Sequence, residues 1–166
     1  MPRVFLSIGS NIDREENIRS GVDALHVYHR DFMLSSVYES EAVGFEGDDF
    51  YNLVIGFGTS DDLKAVYQKI RSIEDQHYRN RNGPRFGPRT LDIDLLLYGE
   101  MVIKEDWITL PREEIDINAF VLWPLAEIAG DERHPVSNRL FSQLWEEFDK
   151  DTQKIRKIDF DWDRSD

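Results

Sequence analysis

The chain has 166 residues with no cysteine, and its 20 lysines and arginines stand against 33 aspartates and glutamates, a formal charge of −13 at pH 7. The lack of cysteine excludes a disulfide framework and every thiolate-held zinc or iron–sulfur centre, and the acidic field repels nucleic acid and anionic lipid, so an anionic ligand has to be held by a local basic cluster. A chain of this length buries roughly 70% of its unfolded surface in one core, and with no signal peptide or membrane span read in it the expectation is a single cytoplasmic domain, residues 1–166, monomeric, with no nucleic-acid or membrane partner.

Residues 3–8 read as a first strand ending at Gly9-Ser10-Asn11, and Asp13 with Glu16 three positions later reads as a capping box for a helix that buries Ile18, Val22 and Leu25. A second strand is expected over 32–39, a glycine-bearing loop over 40–49, and a third strand over 52–57. Leu63, Val66, Tyr67, Ile70 and Ile73 keep helical spacing after Ser60-Asp61-Asp62, which predicts an amphipathic helix over 63–77.

An irregular loop over 78–88 precedes the dense apolar run 90–98, expected to be a central strand between turns at Pro88 and Gly99. Short extended pieces at 101–103 and 107–110 follow, then helices over 119–128 and 140–148, and Ile158, Phe160 and Trp162 alternate as in a terminal strand. The order βαββαβ with extra helices predicts an α+β fold, a ferredoxin-like core of mainly antiparallel sheet covered by helices in an α/β/α sandwich.

Within the run 90–98, side chains two apart share a face, so Asp92 and Asp94 stand side by side while Leu91, Ile93 and Leu95 face the other way. Two such charges roughly 6 to 7 Å apart repel by roughly 3 kcal/mol at an effective dielectric near 20. A cation relieves that cost, and magnesium takes one or two protein carboxylates while completing its shell with water and phosphate oxygens. An isolated Asp-x-Asp is more often an ordinary solvated strand face. The preceding segment changes the balance: Arg79, Arg81, Arg85 and Arg89 fall in eleven residues without one acid. Guanidinium forks suit phosphate oxygens, and two Gly-Pro-Arg units bend a loop, so a polyphosphate bridging arginines and metal is the expectation; the alternative is exposed pairing with surface carboxylates. Neither the Gly-rich P-loop nor the protein-kinase motif set occurs. His26, His29, His77 and His134 lack metal-ligand spacing and read as structural or surface residues.

At Arg85-Phe86-Gly87-Pro88-Arg89-Thr90-Leu91-Asp92-Ile93-Asp94-Leu95-Leu96 the sequence resembles the signature of the 6-hydroxymethyl-7,8-dihydropterin pyrophosphokinase family. Gly9-Ser10-Asn11, Gly44, Phe50-Tyr51-Asn52 and Phe120-Val121-Leu122-Trp123-Pro124-Leu125 are similar to the family in the same order, so the resemblance runs over about 3–130. It implies transfer of the β,γ-pyrophosphoryl group of ATP to the hydroxymethyl oxygen of the reduced pterin, with release of AMP and two Mg2+ ions bridging the triphosphate. By matching position it implies that Asp92 and Asp94 hold both ions, and that Arg79 and Arg89 neutralise phosphate while Arg81 and Arg85 assist from the loop. Phe50 and Phe120 would sandwich the pterin, Asn52 would bond its amide-like edge with Ser40 and the backbone near Gly44, and Leu95 and Thr109 would lie by adenine and ribose.

The chain departs from the family at several places. Arg112 stands where a histidine is common and Asn118 where an arginine is common, both near the expected phosphates; Arg112 is therefore a candidate ATP-binding residue. Glu41-Ala42 replaces frequent prolines and Phe86 a frequent tryptophan. The competing readings are a non-catalytic pterin- or nucleotide-binding paralogue, a nucleotidyltransferase, disfavoured because Gly9-Ser10 lies so far before Asp92, and a ferredoxin-like RNA-binding module, disfavoured by charge.

Overall fold

The structure, a computed structural model, describes residues 1–41, 47–77 and 91–163. Strand β1 (Arg3–Ser10) leads into helix α1 (Arg14–Leu25), then β2 (Met33–Leu34), β3 (Val37–Ser40) and β4 (Phe50–Gly58). Helix α2 (Leu63–His77) precedes β5 (Asp92–Tyr98), and a hairpin of β6 (Ile103–Glu105) and β7 (Ile108–Leu110) follows. A 3-10 turn at Glu113–Asp116, α3 (Ala119–Ala129), α4 (Phe141–Glu147), a second 3-10 turn at Lys150–Thr152 and β8 (Ile155–Ile158) complete the described chain.

The main sheet runs β5-β1-β4-β3-β8 with antiparallel pairing throughout, and β2 adds to β4. Alternation along the strands sends two sets of apolar side chains to opposite faces. Leu6, Ile8, Leu53, Ile55 and Ile93 pack with Ile18 and Val22 of α1 and with Val66, Ile70 and Ile73 of α2. Phe5, Val54 and Leu97 pack on the other side with Val121, Leu122 and Leu125 of α3 and Phe141 of α4. The expected α+β sandwich of antiparallel sheet and helices is what forms. Glu127 pins α3 to the sheet, its carboxylate accepting from Ser36 N–H at 2.9 Å, Ser36 hydroxyl at 2.7 Å and Tyr38 hydroxyl at 2.6 Å.

Helix α2 has the bounds its apolar spacing predicts, and Asp62 caps it, Oδ1 accepting the Ala65 N–H at 2.8 Å. The capping box at α1 does not form. Asp13, in the reversal out of β1, takes a left-handed backbone, φ 43°, where a capping residue is ordinarily extended, and its side chain makes no capping bond. Asn17 and Ser10 instead close the reversal on the Ile12 carbonyl, at 2.6 and 3.0 Å.

Three strand expectations change. The stretch 32–39 is broken at Ser35, whose main-chain N–H and hydroxyl both bond Val54, donating to its carbonyl and accepting from its N–H. The terminal strand lies earlier than the aromatic alternation suggested; Phe160 and Trp162 follow β8, with Phe160 edge-on to Tyr51 at 6.0 Å. Most consequential, β5 is an edge strand, not a central one, pairing among the described residues with β1 alone. Its apolar density reflects coverage of both faces, and its outer edge is sealed by other groups: Glu74 accepts the Ile93 N–H and the Leu96 carbonyl accepts the Arg112 N–H at 3.0 Å. A bulge opposite Phe5 and Leu6 leaves Leu96 as an extra residue.

Candidate active site

Cross-strand partners share a face, so one row of the sheet carries Tyr38, Asn52, Gly9 and Asp92 in turn, contributed by β3, β4, β1 and β5. Asp94, two residues on from Asp92, pairs with Ser7 in the next row of the same face. Ile93 and Leu95 are 4% and 5% exposed in the core on the α1 and α2 side, while Asp92 and Asp94 are half-buried on the face covered by α3. The side-by-side carboxylates read from the sequence are therefore present. Asn52 and Asp92 are two strand spacings apart, roughly 10 Å.

Arg112 lies against this pair. Its Nη2 is 3.4 Å from Asp94 Oδ1 and 2.8 Å from Glu114 Oε1, and its main chain is fixed to Leu96. Burial alone would lower its pKa, but Asp94, Glu114 and Asp92 outweigh it and raise it, so the group is held as a cation. Its Nε is buried without a hydrogen-bond partner among the described residues, leaving a donor beside the carboxylates.

At the amide end of the row, Asn52 and Ser40 are 4% and 6% exposed, and Asn52 Nδ2 donates to Ser40 Oγ at 2.7 Å. Phe50 pairs with Ser40 across β3 and β4 and is half-buried. Gly9 is what lets these side chains lie over β1: a Cβ there would come 2.8 Å from Asn52 Oδ1 and 3.6 Å from Phe50 Cδ1. Phe120, the second residue of α3, is half-buried against the core on the same side of the sheet.

The structure thus brings together Ser40, Phe50, Asn52, Asp92, Asp94 and Arg112 on and around one sheet face, with α3 presenting Phe120 from above. Thr109 sits half-buried on β7, paired with Lys104. Leu95 does not offer its side chain to that face; it packs in the opposite core, because alternation turns it away from Asp94. Only its main chain could meet a nucleotide. Gly44, Arg79, Arg81, Arg85 and Arg89 lie outside the described residues. No group of three or more His, Cys, Asp or Glu side chains suited to a metal occurs among the described residues. His77 and His134 are engaged structurally: Nδ1 of His77 lies 2.7 Å from the Ile73 carbonyl, and His134 Nδ1 accepts from Val136 N–H. An open polar cleft of about 560 Å³ beside Asn11, Arg14, Glu39 and Asp48 contains none of the candidate residues and is lined mainly by carboxylates, which disfavours it for a polyphosphate.

Sequence reasoning missed Glu74. It occupies the buried stripe of α2, four residues after Ile70, and is 7% exposed. Its Oε2 accepts the main-chain N–H of Ile93, between the two aspartates, at 2.9 Å. Burial, and after it the charges of Asp92 and Asp94, push its pKa up to about 8, although the Ile93 hydrogen bond acts to lower it. The signal was a charged residue at an apolar helical position, where a buried partner is required.

Fold and site define an α+β protein whose sheet face joins a carboxylate pair to a buried amide. Residues 5–130 match the model of the family described as 7,8-dihydro-6-hydroxymethylpterin-pyrophosphokinase (HPPK), and the chain belongs to that family. It is 34% identical over 138 residues to 2-amino-4-hydroxy-6-hydroxymethyldihydropteridine pyrophosphokinase of Aquifex aeolicus (strain VF5), covering 82% of this chain and 86% of that protein. The protein of the same description from Bacillus subtilis (strain 168) is 35% identical over 128 residues, covering 75% and 76%. A crystal structure of Plasmodium falciparum HPPK-DHPS wild type is similar in fold with a TM-score of 0.68 at 13% identity, covering 87% of this chain and 44% of that one, so this chain spans under half of that protein.

Proposed function

We infer that the chain transfers the pyrophosphoryl group of ATP to the hydroxymethyl oxygen of 6-hydroxymethyl-7,8-dihydropterin, releasing AMP and the pterin diphosphate, a step of folate biosynthesis. The observation that carries this reading, beside family membership, is the row Asn52, Gly9, Asp92: an amide that can read a heterocycle edge stands two strands from a carboxylate pair that can anchor a metal–polyphosphate.

The donor set fits Mg2+. Two partly exposed carboxylates on one strand face, without a third acidic or histidine ligand among the described residues, suit an ion that takes its remaining ligands from phosphate and water. Asp92 and Asp94 would hold two such ions, which supply charge neutralisation to the triphosphate. Arg112, cationic and anchored next to Asp94, adds fixed positive charge at the same place, and the segment bearing Arg79, Arg81, Arg85 and Arg89 enters β5 at Asp92 and supplies further guanidinium groups.

Phe50 and Phe120 stack on the pterin, and the Asn52 amide, oriented by Ser40, bonds its edge together with the main chain near Gly44. The Leu95 main chain and Thr109 lie by the adenosine. The pterin hydroxyl oxygen bonds to the β-phosphorus as the bond from that phosphorus to the α,β-bridging oxygen breaks; AMP departs with that oxygen, and the hydroxyl proton passes to water. Such a transfer depends on positioning and electrostatics more than on a strong base. On this reading residues 1–166 work as one monomeric domain in the cytoplasm. No described helix is long and apolar enough to cross a membrane.

The test is a product assay with ATP, Mg2+ and 6-hydroxymethyl-7,8-dihydropterin followed by mass spectrometry. AMP and pterin diphosphate in equal amounts are expected; ADP with a pterin monophosphate, or nucleotide cleavage indifferent to pterin, contradicts the reading.

A further inference from the structure

The family match ends at residue 130, and the chain continues through α4 and β8. Residues 153–156 of this continuation touch both halves of the proposed pterin site. Gln153 donates from Nε2 to the Ile117 carbonyl at 2.8 Å and accepts the Ala119 N–H on Oε1 at 2.8 Å. Those two groups bracket Asn118, the N-cap position of α3, whose own side chain makes no capping bond. The first N–H groups of a helix lack intrahelical partners, and here a distant side chain satisfies the first of them, one residue before Phe120.

Two residues further on, β8 pairs Ile155 with Ser40 and Arg156 with Glu39. The Arg156 guanidinium also bonds Glu39 Oε1 at 2.6 and 2.9 Å, and Arg14 holds the other carboxylate oxygen at 2.9 Å. Ser40 is in turn paired with Phe50 on β4. One short stretch therefore ties the strand edge bearing Ser40 and Phe50 to the helical turn bearing Phe120.

We propose that Gln153 is a positioning residue for pterin binding: its amide fixes the first turn of α3, and with it Phe120, at a set separation from Ser40 and Phe50, and so determines affinity for a flat heterocycle. Both hydrogen-bonding functions of the amide are used at once, so a side chain of similar size without them releases the turn. The proposal rests on Phe120 stacking against the pterin.

The experiment uses the full chain with Gln153→Leu, Gln153→Glu and Phe120→Ala. It measures KM for 6-hydroxymethyl-7,8-dihydropterin, kcat, the Kd of a non-hydrolysable ATP analogue with Mg2+, and Tm. Gln153→Leu raises pterin KM about tenfold, with kcat and nucleotide Kd changing less than twofold. Gln153→Glu, which keeps the acceptor for Ala119 N–H, falls between Leu and the native residue. Equal weakening of pterin and nucleotide binding together with a lowered Tm assigns Gln153 a merely structural part and overturns the proposal. Unchanged pterin KM in Gln153→Leu, with Phe120→Ala impaired, overturns it while the stacking reading stands. Unchanged pterin affinity in Phe120→Ala overturns both.

Discussion

The Glu74 carboxylate accepts the Ile93 N–H at 2.9 Å, on the outer edge of β5 and midway between Asp92 and Asp94. An edge strand otherwise presents unpaired main-chain groups that allow it to shift. This bond fixes the strand at the point where its two carboxylates have to be held side by side, and it comes from a helix on the opposite face of the sheet.

Because burial, followed by the neighbouring aspartates, raises the Glu74 pKa from 4.5 to about 8, the native state keeps a proton that the unfolded chain releases. Between those two values the unfolded state binds fewer protons, so stability contributed by this group falls as pH rises from about 4.5 to about 8. Glu74→Gln keeps the acceptor and removes the titration. Thermal melts at pH 5.5 and pH 8 should show a smaller loss of Tm for the variant than for the native chain. Glu74→Leu strands the Ile93 N–H and costs about 1 to 3 kcal/mol of stability at either pH.

Arg112 neutralises Asp94 and carries a buried Nε donor without a partner among the described residues. Arg112→Ala is expected to weaken binding of a non-hydrolysable ATP analogue about tenfold, the loss of a charge-assisted hydrogen bond. Arg30→Ala, on an exposed residue that lies beside Gly58 at the other end of β4, leaves it within twofold. Calorimetry on the two variants distinguishes a local effect of Arg112 from a general loss of positive charge.

Gly9 links the two ends of the site, paired with Asn52 on one side and Asp92 on the other. A Cβ at 2.8 Å from Asn52 Oδ1 displaces that amide from Ser40. Gly9→Ala is expected to raise pterin KM several-fold and to lower Tm by a few degrees, since an overpacked buried position costs about 1 to 3 kcal/mol. Steady-state kinetics varying pterin at saturating ATP measures the first effect and a thermal melt the second.

What was legible in the sequence was what neighbours along the chain determine. Leu63, Val66, Ile70 and Ile73 fix the face of α2 and Asp62 fixes its start, so that helix was read to the residue. Period-two alternation placed Asp92 and Asp94 on one face for the same reason. The edge position of β5 was not legible, since covered faces and neighbouring strands produce the same apolar run. Asp13 misled because it takes a left-handed backbone in the reversal between β1 and α1, which the capping pattern around it does not report. Gln153 and Glu74 act on residues 34 and 19 positions away, and no local periodicity reports such contacts. The row through Gly9 is likewise a product of strand register, which the turns and cores decide together.

The most direct test of the account is turnover by Asp92→Ala and Asp94→Ala, each measured as pterin-dependent AMP release across a Mg2+ titration. Both variants are expected to fold, as judged by Tm, and each to lose turnover by at least about a hundredfold, without recovery at high Mg2+. Turnover within a few-fold of the native chain in either variant, at ordinary Mg2+, would contradict it.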